Sequence, residues 1–292
     1  MRSLEYRRPA SVEQAIELLA PENRRAKVLA GGTDLVIALR DEAVRADMLV
    51  DVKGIPQLRQ VREENGSIVV GAVVTFAEIA AHPLLLARVA ALSQAASQVG
   101  SPQIRNAGTV GGNIANGSPA ADVVVPLVAL DASVFLASVR GSRVAPLADI
   151  LQARPGEVNI GRDELIVQVA FAAPAPGTTS AFAKLGRRNA LSIARLSCAV
   201  FGRVAEDGTV QQIALAVGAA GPHPFRMRAV ESMVAGSRLT PQLEQEVLEA
   251  CSAEIARVLG SRASMPYKRE AIKGVVWEAL ENCFSGGQRV GG

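Results

Sequence analysis

The stretch Lys27-Val28-Leu29-Ala30-Gly31-Gly32-Thr33-Asp34-Leu35-Val36-Ile37-Ala38-Leu39-Arg40 decides the reading of the N-terminal fold. Lys27 to Ala30 reads as a short buried strand, and Leu35 to Arg40 has a helical pattern. Gly31 and Gly32 supply backbone angles that other residues avoid, so the chain can reverse sharply between the two. Such a junction points backbone N–H groups and the positive end of a helix at one place, which suits a phosphate or pyrophosphate. A tight turn without any ligand would use the same residues, so the stretch alone leaves both readings open.

Working outward, Ser11 is placed to cap a helix with Val12, Ala15, Ile16 and Leu19 on one face, ended by Pro21. Met48 to Val52 reads as a second apolar strand. These elements make a compact α/β unit of residues 1–54.

From residue 55 the pattern changes. Leu58 to Val61 and Ser67 to Val70 flank Asn65-Gly66, a hairpin turn. Thr75 and Glu78 have capping-box spacing and open a short helix to Ala81. Leu84 to Val99 reads as one alanine-rich helix closed by Gly100 and Pro102. Thr109-Val110-Gly111-Gly112-Asn113 is a second glycine-rich loop, followed by Asn116, Ser118 and Asp122, short polar groups suited to sugar or ribityl hydroxyls. Strands are expected at Ser133 to Val139 and Leu165 to Phe171, completing an α+β unit of residues 55–173.

Pro174-Ala175-Pro176-Gly177 is the clearest linker. Beyond it, residues 178–287 read as an antiparallel sheet with a helical layer. The strands are Ala181 to Leu185, Ser197 to Ala205 and Val210 to Val217, with a turn at Asp207-Gly208. The helices are Met227 to Val234, Pro241 to Leu259 and Met265 to Cys283. The fold class is therefore α+β throughout.

Composition excludes several functions. Of 292 residues 49% are hydrophobic, so the chain builds a packed core, yet a net charge of +3 and isolated arginine pairs give no basic stripe for nucleic acid. No apolar run reaches the length of a membrane span, and Met1 to Pro9 lacks a secretory pattern, which predicts a cytoplasmic protein. His82, His223, Cys198, Cys251 and Cys283 are too few and too scattered for a zinc site or a cysteine-held cluster, so no metal ligand is assigned. Neither Gly-x-Gly-x-x-Gly nor Gly-Lys-Ser/Thr occurs, so the usual dinucleotide turn and the P-loop are both missing. Two separated glycine stretches without an adjacent lysine suggest a dinucleotide held by backbone amides.

Four motifs in order resemble one family. They are Ala30 to Leu35; Ile104 to Ala115 with Ser118-Pro119 and Asp122; Lys184-Leu185-Gly186-Arg187-Arg188-Asn189-Ala190-Leu191; and Arg262-Ala263-Ser264 with Tyr267-Lys268-Arg269. Together they resemble the FAD-binding medium subunit of molybdenum hydroxylases of the xanthine dehydrogenase and carbon monoxide dehydrogenase type. The resemblance implies two FAD-binding subdomains and a C-terminal flavoprotein domain.

It further implies that Ala30, Gly31, Gly32, Thr33, Asp34 and Leu35 wrap the FAD pyrophosphate with Thr109, Gly111, Gly112 and Asn113. Asn116, Ser118 and Asp122 would meet hydroxyls, Val99 would pack near the cofactor, and Ile166 would line the ring site. Lys184 would be the cation nearest the flavin pyrimidine, where reduction places negative charge; an ordinary exposed strand lysine is the other reading. Some relatives place an aromatic over the flavin near position 193, where this chain has Leu191-Ser192-Ile193.

No His, Cys or Tyr in either glycine stretch offers covalent attachment, so FAD is expected to be noncovalent. No residue of this chain is expected to act as a catalytic acid or base. The implied partners are a molybdopterin-binding large subunit and a small subunit with [2Fe-2S] clusters, assembled as a dimer of heterotrimers. NAD or another small acceptor would take the electrons. A stand-alone FAD-dependent oxidase or dehydrogenase would need an aromatic-lined pocket and a base, and ten aromatics with two histidines speak against it. A scaffold with a decayed flavin site is opposed by the intact glycines, Asn113 and Asp122.

Overall fold

The computed structural model describes residues 4–151, 157–188 and 191–284. The chain forms two compact units that interleave along the sequence. The first comprises Met1–Glu78, Ser101–Gly117 and Ala132–Ala172; the second comprises Ile79–Gly100, Ser118–Asp131 and Ala173–Gly292. The last residues of the expected C-terminal segment, 285–287, lie outside the described residues.

In the first unit a three-stranded parallel sheet has the order Glu5–Arg7, Met48–Asp51, Ala26–Leu29. The Glu5–Arg7 strand has no apolar pattern and was not foreseen. The helix Val12–Leu19 begins where expected, with Ser11 Oγ accepting from the Gln14 N–H at 3.3 Å. Its Ala15 and Leu19 are buried against Met48, Val50 and Val52. A five-stranded antiparallel sheet runs in the order Val61–Glu64, Ser67–Gly71, Leu165–Ala172, Ser133–Ser138, Gly141–Pro146.

Two local expectations are corrected here. The strand before Asn65 starts at Val61, because Pro56 opens a single 3-10 turn, Pro56–Arg59, that buries Leu58. The second glycine stretch is a helix, Val110–Asn116, rather than a loop. The capping box is present: Thr75 N donates to Glu78 Oε2 at 2.8 Å, and Glu78 N donates to Thr75 Oγ1 at 3.2 Å.

The second unit is built on a four-stranded antiparallel sheet ordered Phe225–Arg226, Val210–Gly218, Leu196–Val204, Thr179–Leu185. The long helices Pro241–Leu259 and Met265–Phe284 bury Val247, Ile255, Ile272 and Val276 with Leu196, Cys198, Val200 and Leu215 of the sheet. The three cysteines, far apart in sequence, share this core and are all buried.

The opposite sheet face is covered too. Phe182 N donates to Gln94 Oε1 at 2.8 Å, Ala91 N donates to Ser180 Oγ at 3.1 Å, and a Cβ on Gly218 would lie 2.5 Å from Val125 Cγ2. Burial on both faces is why these strands read as unbroken apolar runs. The expected helix Leu84 to Val99 is in fact two, Pro83–Arg88 and Ala90–Ser97, broken at Val89 with φ −146° and ψ 56°. Among the described residues, no helix is long and apolar enough to cross a membrane.

Candidate functional site

The first unit brings its two glycine-containing stretches together. A Cβ on Gly31 would lie 2.3 Å from the Ala107 carbonyl oxygen and 2.8 Å from Gly108 Cα, so only glycine fits where these backbones meet. Gly32 takes φ +71°, in the left-handed region. Asn116 Nδ2 donates to Asp34 Oδ1 at 3.3 Å, a second link between the stretches, and Thr33 Oγ1 donates to Asp34 Oδ2 at 3.0 Å.

The fate of the amides separates the two stretches. In the second, Val110 N donates to Val74 O, Gly111 N to Ala72 O, Gly112 N to Thr109 Oγ1 at 3.1 Å and Asn113 N to Thr109 O. Thr109 thus caps its own helix, and these N–H groups are already paired. Gly111 is packed on Ala72, where an added Cβ would sit 2.8 Å from both the Ala72 Cβ and its oxygen. In the first stretch, the five consecutive N–H groups of Gly31, Gly32, Thr33, Asp34 and Leu35 meet no acceptor among the described residues. A row of unpaired amides following a glycine turn is an anion cradle. Beside the exposed Gly112, Asn113 Oδ1 is buried without a partner, so it lacks a hydrogen-bond donor. The side chains and amides present therefore fit a ligand that carries both a pyrophosphate and hydroxyls. Ile166 lies in the strand Leu165–Ala172 opposite Leu136 and is 7% exposed, and Ala30 and Leu35 are half-buried.

The second unit holds Val99, Ser118, Asp122 and Lys184. Lys184 is not the exposed strand lysine that one reading allowed: its side chain and that of Asp122 are each 6% exposed and form a buried ion pair. Lys184 Nζ also donates to the Gln98 carbonyl at 3.1 Å, leaving one of its three hydrogens for another acceptor. Asp122 Oδ1 is buried and unpartnered. Burial raises the Asp122 carboxyl to about 6, with Lys184 partly opposing the shift. Ser118 Oγ accepts from the Ala120 N–H at 3.3 Å, and the Val99 N–H donates to Ala96 O.

The pairing of residues 122 and 184, and the part played by the Gln98 carbonyl, had no sequence signal, since no local pattern links positions 62 apart. Asn189 and Ala190 of the third motif lie outside the described residues. Ile193 is 82% exposed. Among the described residues, no group of three or more His, Cys, Asp or Glu side chains is arranged to hold a metal ion.

Comparison with known proteins agrees with the motifs. A family model described as the FAD binding domain in molybdopterin dehydrogenase matches residues 2–174, and one described as the CO dehydrogenase flavoprotein C-terminal domain matches residues 180–283. The chain is 34% identical over 278 residues to the nicotinate dehydrogenase FAD-subunit of Eubacterium barkeri, covering 94% of each. It is 32% identical to the carbon monoxide dehydrogenase medium chain of Hydrogenophaga pseudoflava over 281 residues, covering 96% of this chain and 97% of that one. A solved structure of carbon monoxide dehydrogenase from the same organism superposes with a TM-score of 0.89 at 30% identity, covering 97% of both chains. The chain belongs to the family of FAD-binding flavoprotein subunits of molybdenum-containing dehydrogenases.

Proposed function

We propose that this chain is the electron-transfer flavoprotein subunit of a multisubunit molybdenum hydroxylase and binds FAD noncovalently. The observation that carries the site assignment is the row of unpaired amides from Gly31 to Leu35. FAD, when bound, supplies the capacity to take up electrons from iron–sulfur clusters and pass them to an acceptor.

The chain's own residues bind and orient. The amides of 31–35 hold the pyrophosphate, with Ala30 leading into the turn and the Gly32 geometry aiming the N–H groups. Thr109 and Gly111 fix the start of the second helix, whose exposed Gly112 leaves room for the ligand. Asn113, Asn116 and Ser118 meet hydroxyls, and Val99 and Ile166 offer apolar surface. Asp122 is a positioning residue: it holds the Lys184 ammonium, a buried cation that favours negative charge on a ring placed beside it. No proton donor or acceptor of this chain is needed for electron transfer.

The named relatives are a FAD-subunit and a medium chain, which supports separate partner subunits here. We place the molybdenum cofactor in a large partner and the [2Fe-2S] clusters in a small one, the whole a cytoplasmic dimer of heterotrimers using NAD or another small acceptor. The test is purification of the tagged chain from its source cells with assay of FAD, molybdenum and iron. Recovery of all three in fixed ratio, with flavin bleached by an organic substrate only in the complex, is expected. Oxidation of a small alcohol or amine by the isolated chain, free of molybdenum, would overturn this reading in favour of a stand-alone flavoenzyme.

A further inference from the structure

The N-terminal end of the strand Ala26–Leu29 borders a feature that flavin binding does not use. A cavity of about 170 Å³ is lined by Leu19, Arg24, Arg25, Lys27, Arg45 and Arg162, together with Ala26. Five of these residues are cationic. Arg24 pairs with Glu5 at 2.8 Å and Arg25 with Asp47 at 2.9 Å. Arg162 instead donates to the backbone carbonyls of Glu22 at 3.1 Å and Ala20 at 3.4 Å. Lys27, Arg45 and Arg162 have no carboxylate partner among the described residues. Three uncompensated cations around one small hollow raise the local positive potential and concentrate anions there.

This hollow is not the glycine cradle. Arg24 and Arg25 precede the strand Ala26–Leu29 and Gly31 follows it, and four strand residues at about 3.3 Å each separate the two ends by roughly 13 Å. The chemistry is directional as well as charged. Arginines present planar forks that match phosphate oxygens two at a time, and Lys27 adds a point charge. The hollow is small and opens to solvent, so it suits a compact anion or the charged end of a larger molecule whose remainder projects outside.

We infer that the cavity lined by Arg24, Arg25, Lys27, Arg45 and Arg162 is a second binding site, for a phosphate or diphosphate group. Arg45 and Lys27 supply its free charges, and Arg162 is fixed in place by the Ala20 and Glu22 carbonyls. The group arrives either as the free inorganic ion or as the tail of a nucleotide whose base projects outside.

The test is calorimetric titration of the FAD-saturated protein with inorganic pyrophosphate and, separately, with ADP, at constant ionic strength. Saturable one-to-one binding of pyrophosphate is expected, weakened about tenfold or more by Arg45→Ala and again by Lys27→Ala, since each removes a charged donor. Both positions are exposed, so the folded state survives the substitutions, which a circular dichroism spectrum checks. Binding must persist in Gly112→Trp, which obstructs the glycine cradle but leaves this cavity intact; this separates the inference from the flavin assignment. ADP binding as tightly as pyrophosphate assigns the group to a nucleotide tail, and much weaker ADP binding assigns it to the free ion. Heat that never saturates, or an affinity unchanged by Arg45→Ala and Lys27→Ala together, would overturn the site.

Discussion

At Asp122 and Lys184 two opposite charges share an environment from which water is almost excluded. Removing one partner leaves the other buried and uncompensated, which is costlier than losing an exposed pair. Lys184→Met, which leaves the Asp122 carboxylate buried without its cation, is therefore expected to lower unfolding free energy by about 3–5 kcal/mol at pH 8, read by chemical denaturation. The same carboxyl gives a pH signature. Its pKa rises from an ordinary 3.8 to about 6 on folding, so the folded protein holds that proton more tightly. The resulting stabilisation is complete below pH 3.8 and is lost as pH rises through 6. Glu78 and Glu164, held low by arginine and backbone partners, contribute the opposite slope, so the wild type alone does not isolate Asp122. The stability of the wild type relative to Asp122→Asn, followed from pH 4 to 8, is expected to fall between about pH 4 and 6 and to level off above 6. A flat difference would remove Asp122 as the source of that fall.

Among the elements, the glycines differ in why they are glycine. Gly31→Ala drives a Cβ into the Ala107 carbonyl, backbone against backbone, and is expected to cost at least about 1–3 kcal/mol in thermal or denaturant unfolding. Gly274, inside the helix Met265–Phe284, has nothing within 4 Å, so Gly274→Ala is expected to stabilise by about 0.5–1 kcal/mol. Both are marked alike in sequence. The helices at Val12–Leu19 and Pro241–Leu259 were legible because the Ser11 and Thr240 caps, nearby prolines and apolar spacing agree, and those at Arg228–Val234 and Met265–Phe284 because of apolar spacing. The break at Val89 was not legible, since no glycine or proline marks it. Val89 is fully buried, and its departure from helical angles is set by what surrounds it rather than by its own propensity. The second glycine stretch likewise read as a loop because Gly111 and Gly112 are poor helix formers. Packing on Ala72 and the Thr109 cap outweigh that preference.

For the molecule as a whole, the α+β class and the strands of the C-terminal sheet followed from periodicity and turn residues. The interleaving of two compact units did not, because Ile79–Gly100 and Ser118–Asp131 carry no mark of the unit they join. The candidate site was half legible in the same way. Gly31, Gly32 and Asn113 stand out by residue type, whereas the unpaired amides of 31–35 and the burial of Lys184 exist only once the chain is folded. We propose that these groups bind noncovalent FAD. It is tested most directly by titrating the purified chain with FAD, following the visible spectrum, and extracting the cofactor with acid, alongside Gly112→Trp. One releasable FAD per chain, lost in a folded Gly112→Trp variant, is the expected result. A well-folded wild-type chain that takes up no flavin from excess FAD would contradict it.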